Sequence, residues 1–146
     1  MTEFAPLTLE MAAARAEPNP RTILLVDDND YVRQMVGVIL ELAHYTVLEA
    51  GSGPQALQIS DQHQGAIDLL LTDMQMPEMR GDELAEEMVQ RRPGIKVLCM
   101  SGDLGVLLDR CTAANDMPFI AKPFRAEELL GRIASLVQIE KVRSAA

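Results

Sequence analysis

The stretch LLLTDMQMPEMRG, residues 69–81, joins an apolar run to a charge and a turn. Three leucines and a threonine form the kind of short run found in strands that are buried on both faces. Asp73 stands where this run ends, and Pro77 and Gly81 then require the chain to turn. The stretch therefore predicts a buried strand of a sheet, with a carboxylate held at the edge where the strand stops.

From Arg21 onward, short apolar runs alternate with amphipathic stretches. In the first amphipathic stretch the apolar residues recur at helical spacing, and Asp30 is the expected N-cap. In the second, Ser52 begins the helix and Pro54 stands near a first-turn position. The apolar residues of the first stretch are Val32, Met35, Val36, Ile39 and Ala43. The predicted strands are 22–28, 46–50, 66–73, 95–101 and 118–122, and each precedes a predicted helix, the weakest over about 104–114.

Strands that alternate with helices pair in parallel through right-handed crossovers. We therefore predict an α/β fold of the (βα)5 kind, a doubly wound five-stranded parallel sheet with helices on both faces. Residues 21–139 are expected to form this single domain. Residues 1–20 contain three prolines and are expected to be an N-terminal extension or linker, and residues 140–146 a C-terminal tail.

The composition and the apolar pattern disfavour several classes of function. A net charge of −9 over 146 residues disfavours direct binding to nucleic acid or to an anionic membrane surface. No apolar run has the length of about 18 residues that a membrane span needs, and no signal peptide is evident. Cys99 and Cys111 lack metal-ligand spacing, so we expect two reduced, buried thiols in a cytoplasmic protein.

The polar residues at the predicted strand ends indicate the chemistry, because ligands of doubly wound sheets bind beyond the carboxyl ends of the strands. Asp27 and Asp28 end the first strand, Asp73 the third, Ser101 the fourth and Lys122 the fifth. Three adjacent carboxylates repel one another, and Mg²⁺ relieves that repulsion through oxygen ligands. An oxygen of Asp73 then remains free as a nucleophile toward phosphorus. Mg²⁺, Lys122 and the Ser101 hydroxyl would neutralise the phosphoryl oxygens.

Each of these residues also has a purely structural interpretation. Asp27 and Asp28 suit the positive end of a helix dipole, and Asp73 suits an Asx turn. Ser101 suits a turn or an N-cap, and Lys122 a solvated strand end. The functional interpretation is favoured because four separate segments bring these residues to the same edge. Outside this edge, the two histidines, His44 and His63, are expected to have surface or packing roles.

Four phrases in this order and spacing resemble the receiver domain of two-component response regulators: ILLVDDND (23–30), LLLTDMQMPEMRG (69–81), VLCMSG (97–102) and FIAKPF (119–124). The resemblance spans about residues 21–139. This part of the sequence is similar to the receivers at the C-terminus of hybrid sensor histidine kinases and to single-domain regulators. It implies a flavodoxin-like receiver fold with strand order 2-1-3-4-5. It also implies a signalling switch that catalyses its own phosphorylation and dephosphorylation.

The resemblance implies roles for the matching residues. Asp73 would accept the phosphoryl group from a sensor histidine kinase or a histidine phosphotransfer protein. Asp28 and Asp73 would bind Mg²⁺ or Mn²⁺, with Asp27 acting largely through an ordered water and Gln75 through its backbone carbonyl. Lys122 would pair with the phosphate.

Further implied features concern the switch. Ser101 would move toward the phosphoryl group and Phe119 would rotate inward. The peptide bond between Lys122 and Pro123 would be cis. A homodimer or a downstream protein would use the fourth predicted helix, the fifth strand and the fifth predicted helix. Two positions influence dephosphorylation in the family: Gln75, two residues past the acceptor, and Asp103, two residues past Ser101.

Two rival functions remain to be weighed. A phosphatase of the haloacid-dehalogenase type also uses an aspartyl nucleophile with Mg²⁺, but it carries that nucleophile on its first strand in an Asp-x-Asp-x-Thr pattern. The first strand here continues as Asp27-Asp28-Asn29-Asp30 with no such Thr. A phosphorylation-independent interaction module usually lacks an acidic residue or the lysine, and this chain keeps them all. The sequence therefore favours a phosphoacceptor.

Overall fold

The computed structural model describes residues 21–103, 105 and 117–145, with side chains described up to Val137 in the last helix. Within these residues, helices follow four of the five strands. Their bounds are β1 Thr22–Val26, α1 Asp30–Leu42, β2 Thr46–Ala50, α2 Gly53–Gln62, β3 Leu69–Asp73, α3 Gly81–Arg91, β4 Lys96–Ser101, β5 Phe119–Ala121 and α4 Ala126–Ala145. The predicted helix over about 104–114 lies outside the described residues, Gly105 aside, and so does Cys111.

The five strands form one parallel sheet in the order β2-β1-β3-β4-β5, which confirms the predicted fold and strand order. Thr72 of β3 pairs with Val26 of β1, so β1 ends one residue before β3 in this register. On the other side of β3, Asp73 pairs with Met100 of β4. This register places the carboxyl ends of the three central strands side by side.

Alternate residues of the central strands enter two separate cores. Leu25 and Leu71 point to the face covered by α1 and α4, where they meet Leu40 and Ile133. Leu24 and Leu70 point to the other face, which α2 and α3 cover. β1 is buried throughout and β3 is buried up to Thr72 because helices lie on both faces, as the unbroken apolar runs predict. Two cores with the sheet between them hold the strand ends in a fixed relative position.

The structure corrects two details of α1. The N-cap is Asn29 rather than Asp30, because Asn29 has an extended backbone and its side chain accepts the N–H of Val32 at 3.1 Å. Asp30 is the first helical residue, where its charge suits the helix dipole. Met35 is 51% exposed although its spacing suggested a packed position, because it lies on the side of α1 away from the sheet.

Other predictions are confirmed or extended. Ser52 caps α2 by accepting the N–H of Gln55 at 3.2 Å, and Cys99 is fully buried, as expected. The last helix continues to Ala145, so it includes most of the residues 140–146 that were expected to form a C-terminal tail. Among the described residues, no helix combines the length and the apolar character that crossing a membrane requires.

Candidate functional site

The residues predicted from the strand ends meet at one edge of the sheet. Asp27 and Asp28 directly follow β1, Asp73 is the last residue of β3, and Ser101 is the last residue of β4. Lys122 follows β5, and its backbone N–H donates to the carbonyl of Ser101 at 2.8 Å. Because all the strands are parallel, these five residues leave the sheet at the same level.

The three carboxylates at this edge form one cluster. Asp27, Asp28 and Asp73 each present an oxygen, and these oxygens all lie within 4.8 Å of one another. Asp27 is buried, Asp73 is half-buried and Asp28 is exposed. The cluster therefore reaches from the protein interior to the solvent, and it consists only of the oxygen ligands that Mg²⁺ and Mn²⁺ prefer.

Lys122 links the two less exposed carboxylates. Its Nζ lies 3.3 Å from Oδ2 of Asp27 and 3.5 Å from Oδ1 of Asp73. The peptide bond from Lys122 to Pro123 is cis, as the resemblance implied. One ammonium faces three carboxylates, so the pocket formed by these four side chains, the acidic pocket, carries a net charge of about −2 when all are ionised.

The sizes of the charge interactions show which effect dominates the pKa of Asp73. At an effective dielectric constant of about 20, Lys122 attracts the Asp73 carboxylate by about 5 kcal/mol, and Asp27 repels it by about 3–4 kcal/mol. Asp28 adds a smaller, solvent-screened repulsion. These charge effects nearly cancel, so burial decides the outcome. Burial raises the pKa of Asp73, Lys122 lowers this pKa, and Asp27 and Asp28 raise it further. A bound cation would favour the ionised form.

Ser101 and Phe119 lie in the two strands β4 and β5. Ser101 is buried at the end of β4, one residue beyond the partner of Asp73 in the sheet, and its Oγ accepts the N–H of Asp103 at 3.0 Å. Phe119 begins β5 and packs half-buried against a small cluster of Met74 and Cys99. Ser101 therefore lies beside the end of β3, and Phe119 contacts Met74, the residue that follows Asp73.

Gln75 lies two residues beyond Asp73, in the loop between β3 and α3, and its side chain is exposed. The role predicted for its backbone carbonyl as a metal ligand stays a prediction.

Sequence reasoning missed Arg33, which organises the loop between β1 and α1. Its Nη1 donates to the backbone carbonyl of Asp27 at 2.7 Å and its Nη2 to Asp30 at 2.8 Å. Its Nε donates to Glu49 of β2 at 3.3 Å. The available signal was an arginine one turn into a helix whose beginning is rich in Asp and Asn. Arg33 thus holds in place the loop that supplies two of the three carboxylates.

Gly81 was interpreted as a turn residue, and the structure gives it a different role. Its N–H donates to the carbonyl of Met74 at 2.9 Å. A Cβ at this position would lie 2.3 Å from the carbonyl oxygen of Asp73 and 3.0 Å from Cα of Met74. The start of α3 therefore packs directly against the backbone that carries the Asp73 carboxylate, and only glycine leaves room for this contact.

Comparisons with known proteins agree with this geometry. A family model described as "Response regulator receiver domain" matches residues 23–134. The sensor kinase CckA of Brucella abortus is 37% identical over 119 residues, which are 80% of this chain and 12% of the kinase. The response regulator receiver protein CpdR of Brucella abortus is 31% identical over 118 residues, which are 80% of this chain and 97% of that protein.

A solved structure shows the same fold. The crystal structure of a response regulator receiver domain protein from Clostridium thermocellum superposes with a TM-score of 0.75 and 27% identity, and covers 84% of this chain and 98% of that one. The chain spans less than two thirds of the length of several curated relatives that it matches. With the family model covering more than half of the chain, the protein belongs to the response regulator receiver domains of two-component systems.

Proposed function

We propose that the chain accepts a phosphoryl group on Asp73 from a phosphohistidine of a sensor histidine kinase or of a histidine phosphotransfer protein. The observation that carries this proposal is that two further carboxylates and one ammonium converge on Asp73. Its carboxylate lies within 4.8 Å of those of Asp27 and Asp28, and 3.5 Å from the ammonium of Lys122. A half-buried carboxylate beside a lysine and two further carboxylates suits an acyl-phosphate acceptor.

The donor set of the acidic pocket fits Mg²⁺ or Mn²⁺, since three carboxylates converge against one ammonium. Asp28 and Asp73 would hold the cation directly, Asp27 through an ordered water, and Gln75 through its carbonyl. When bound, the cation supplies positive charge to the transferring phosphoryl oxygens and relieves the repulsion among the carboxylates.

The chain's own side chains supply the rest of the chemistry. A carboxylate oxygen of Asp73 attacks phosphorus, a P–O bond forms, and the P–N bond to the imidazole breaks with its electron pair left on the nitrogen. Lys122 stays protonated and pairs with a phosphoryl oxygen. Asp27 keeps Lys122 near this position, because the 3.3 Å contact to its buried carboxylate does not depend on Asp73.

The response to phosphorylation would run through Ser101 and Phe119. The phosphoryl group adds about two negative charges, which attract the Ser101 hydroxyl away from the N–H of Asp103. Phe119 would then turn into the space that Ser101 leaves. The face that includes β5 and α4, with the helix predicted over 104–114, would change shape and bind a downstream protein or a second copy.

The phosphatase alternative is less well supported. It would need a nucleophile after β1, where Asp27 is buried with one oxygen accepting the N–H of Asn29 at 2.9 Å and the other facing Lys122. Asp73 is more accessible. A phosphorylation-independent module would not need the complete set of three carboxylates and one lysine. Cys99 is buried and lies outside any disulfide among the described residues, which suits a cytoplasmic location for the proposed function.

Phosphotransfer profiling tests the proposal. Purified, radiolabelled histidine kinases and histidine phosphotransfer proteins are mixed with the chain and Mg²⁺, and label on the chain is followed over time. We expect at least one donor to label the wild type and the surface control Asp61→Asn, and none to label Asp73→Asn. Equal labelling of Asp73→Asn and wild type would refute the proposal.

A further inference from the structure

The guanidinium of Arg33 joins three segments of the chain. Its acceptors are the backbone carbonyl of Asp27 in the loop after β1, the carboxylate of Asp30 at the start of α1, and the carboxylate of Glu49 in β2. The Arg33 side chain is only 15% exposed. Because a planar guanidinium donates in fixed directions, this one side chain holds the three segments in one arrangement.

The carbonyl of Asp27 lies just beyond the paired part of the sheet. The last residues paired between β1 and β2 are Val26 and Ala50. The N–H of Asp27 still donates to the carbonyl of Ala50 at 3.2 Å, and the carbonyl of Asp27 accepts from Arg33 at 2.7 Å. Arg33 therefore takes the place of a further backbone donor, and it fixes the peptide group that joins Asp27 to Asp28.

This peptide group directs the Asp28 carboxylate. Asp28 is the exposed carboxylate of the acidic pocket, whereas the Asp27 side chain is held by Lys122 and by the N–H of Asn29. The direction of an exposed side chain depends mainly on its own backbone. Arg33 therefore controls the position of the one carboxylate in the pocket that its neighbours restrain least.

Glu49 ties the guanidinium to the sheet. Asp30 lies on the same helix as Arg33 and is 78% exposed, so it moves with that helix. Glu49 belongs to β2, which pairs with β1 along its whole length. A Cβ at Gly51, just after β2, would lie 3.4 Å from Nη1 of Arg33, so the guanidinium also packs closely against this turn.

Gly37 of α1 leaves room for the Glu49 carboxylate. A Cβ at position 37 would lie 2.7 Å from Oε2 of Glu49 but 3.8 Å from the side chain of Leu25. Glycine is unfavourable inside a helix, and here its missing Cβ leaves space that the carboxylate fills. Contacts therefore run from Gly37 through Glu49 and Arg33 to the Asp27 carbonyl.

We propose that Arg33 is a positioning residue for the metal, and that Glu49 and Gly37 set its position, so that these three residues determine the affinity of the acidic pocket for Mg²⁺. This inference rests on the proposed function. Replacing a group that orients metal ligands typically lowers metal affinity by about 10–100-fold. Arg33 acts through the backbone rather than on a ligand atom, so we expect the lower end of this range.

The test measures metal affinity in Arg33→Lys, which keeps the charge but cannot donate in three fixed directions. The matched control is Arg91→Lys, because Arg91 also pairs with two carboxylates, those of Asp61 and Glu87. Arg91 is the last residue of α3, whose first residue packs against the backbone of Asp73. The Kd of Mn²⁺ is read from the electron paramagnetic resonance of the free ion, and the Kd of Mg²⁺ from competition with Mn²⁺.

We expect both Kd values to rise about tenfold in Arg33→Lys and to stay within about twofold of wild type in Arg91→Lys. Unchanged Kd values in Arg33→Lys overturn the proposal. If Arg33→Ala weakens binding while Arg33→Lys does not, Arg33 supplies only charge, and the positioning role is equally refuted.

A double-mutant cycle tests whether Arg33 acts through Asp28. Adding Arg33→Lys to Asp28→Asn should change the Kd of Mn²⁺ by less than about twofold, because the ligand that Arg33 orients is already lost. A further rise of about tenfold in the double variant would show that Arg33 acts independently of Asp28, against the proposal.

Two variants test the chain of contacts behind Arg33. Glu49→Gln removes the charge that holds the guanidinium, and Gly37→Ala displaces the Glu49 carboxylate while improving helix propensity. Each should raise the Kd of Mn²⁺ several-fold, and Gly37→Ala should do so without a lower free energy of unfolding in urea. Wild-type Kd values in both variants refute the roles of Glu49 and Gly37.

Phosphorylation by acetyl phosphate separates positioning from general damage. In Arg33→Lys, the Mg²⁺ concentration that gives half of the maximal rate should rise about tenfold, while the rate at saturating Mg²⁺ should stay within about threefold of wild type. A rate that stays low at every Mg²⁺ concentration contradicts a role in metal affinity.

The proposed function and this proposal fail in different ways. If neither acetyl phosphate nor any histidine kinase or phosphotransfer protein labels Asp73 of the wild type, the proposed function is wrong. If the wild type and Arg33→Lys bind Mg²⁺ and become labelled equally well, the phosphoacceptor assignment stands and the role of Arg33 is wrong.

Discussion

Replacing Gly81 with alanine should damage both the stability of the fold and the phosphoacceptor. The new Cβ would lie 2.3 Å from the Asp73 carbonyl oxygen, whereas an ordinary contact begins near 3.4 Å, so the backbone must move by roughly 1 Å. Overpacking of this kind costs about 1–3 kcal/mol, or a fall of several degrees in Tm. A displacement of about 1 Å at a reacting group can slow the reaction about 100-fold.

Two measurements check the effect of Gly81→Ala. Urea denaturation gives the free energy of unfolding, and intact-protein mass spectrometry gives the rate of phosphorylation by acetyl phosphate. The matched control is Gly131→Ala in α4, where an added Cβ has no heavy atom within 4 Å. An exposed glycine inside a helix is unfavourable, so this control should gain about 0.5–1 kcal/mol. The reasoning is refuted if Gly81→Ala keeps both the stability and the rate of the wild type.

Three further predictions concern the charges of the acidic pocket and the end of α1. Burial raises the pKa of Asp73, so its ionisation costs stability as pH rises through the folded-state pKa. In EDTA, Asp73→Asn should therefore gain stability relative to wild type as the pH rises from 4 to 7, measured as the free energy of unfolding in urea. A difference between the two proteins that does not change with pH contradicts this prediction. Mg²⁺ at about 100 times its Kd should stabilise the wild type by about 2.7 kcal/mol. In thermal melts, Asp28→Asn should need a higher Mg²⁺ concentration than the wild type for the same rise in Tm. An equal rise in Tm in both proteins at every Mg²⁺ concentration contradicts the assignment of Asp28 as a ligand. His44, just after α1, has a φ of 72°, a left-handed backbone conformation that is strained for residues other than glycine. His44→Gly should therefore raise the free energy of unfolding in urea by about 1 kcal/mol, and a lower value contradicts this strain.

Most of the fold and the centre of the site follow from local patterns in the sequence. Unbroken apolar runs such as residues 69–72 identify strands buried on both faces, and the polar residue after each run lies at the sheet edge because parallel strands share one direction. Asp73 and Lys122 are 49 residues apart in sequence, yet this rule places both at the same edge of the sheet. The motif resemblance added the strand order and the roles of individual residues.

Other features depend on the distances between elements, which periodicity does not contain. The contact between Gly81 and the backbone of Asp73 depends on how closely α3 approaches β3. Met35 has the spacing of a core residue, but its exposure depends on the rotation of α1 about its axis. The choice between Asn29 and Asp30 as N-cap depends on one residue's backbone conformation, because both residue types cap helices well.

The site of covalent phosphorylation tests the central claim most directly. The chain is phosphorylated with acetyl phosphate and Mg²⁺ and reduced with borohydride, which converts an aspartyl phosphate to homoserine, and its peptides are sequenced by mass spectrometry. The account predicts homoserine at position 73 alone, and none after reaction of Asp73→Asn. Homoserine at position 27 or 28, or at position 73 without dependence on Mg²⁺, would contradict the account.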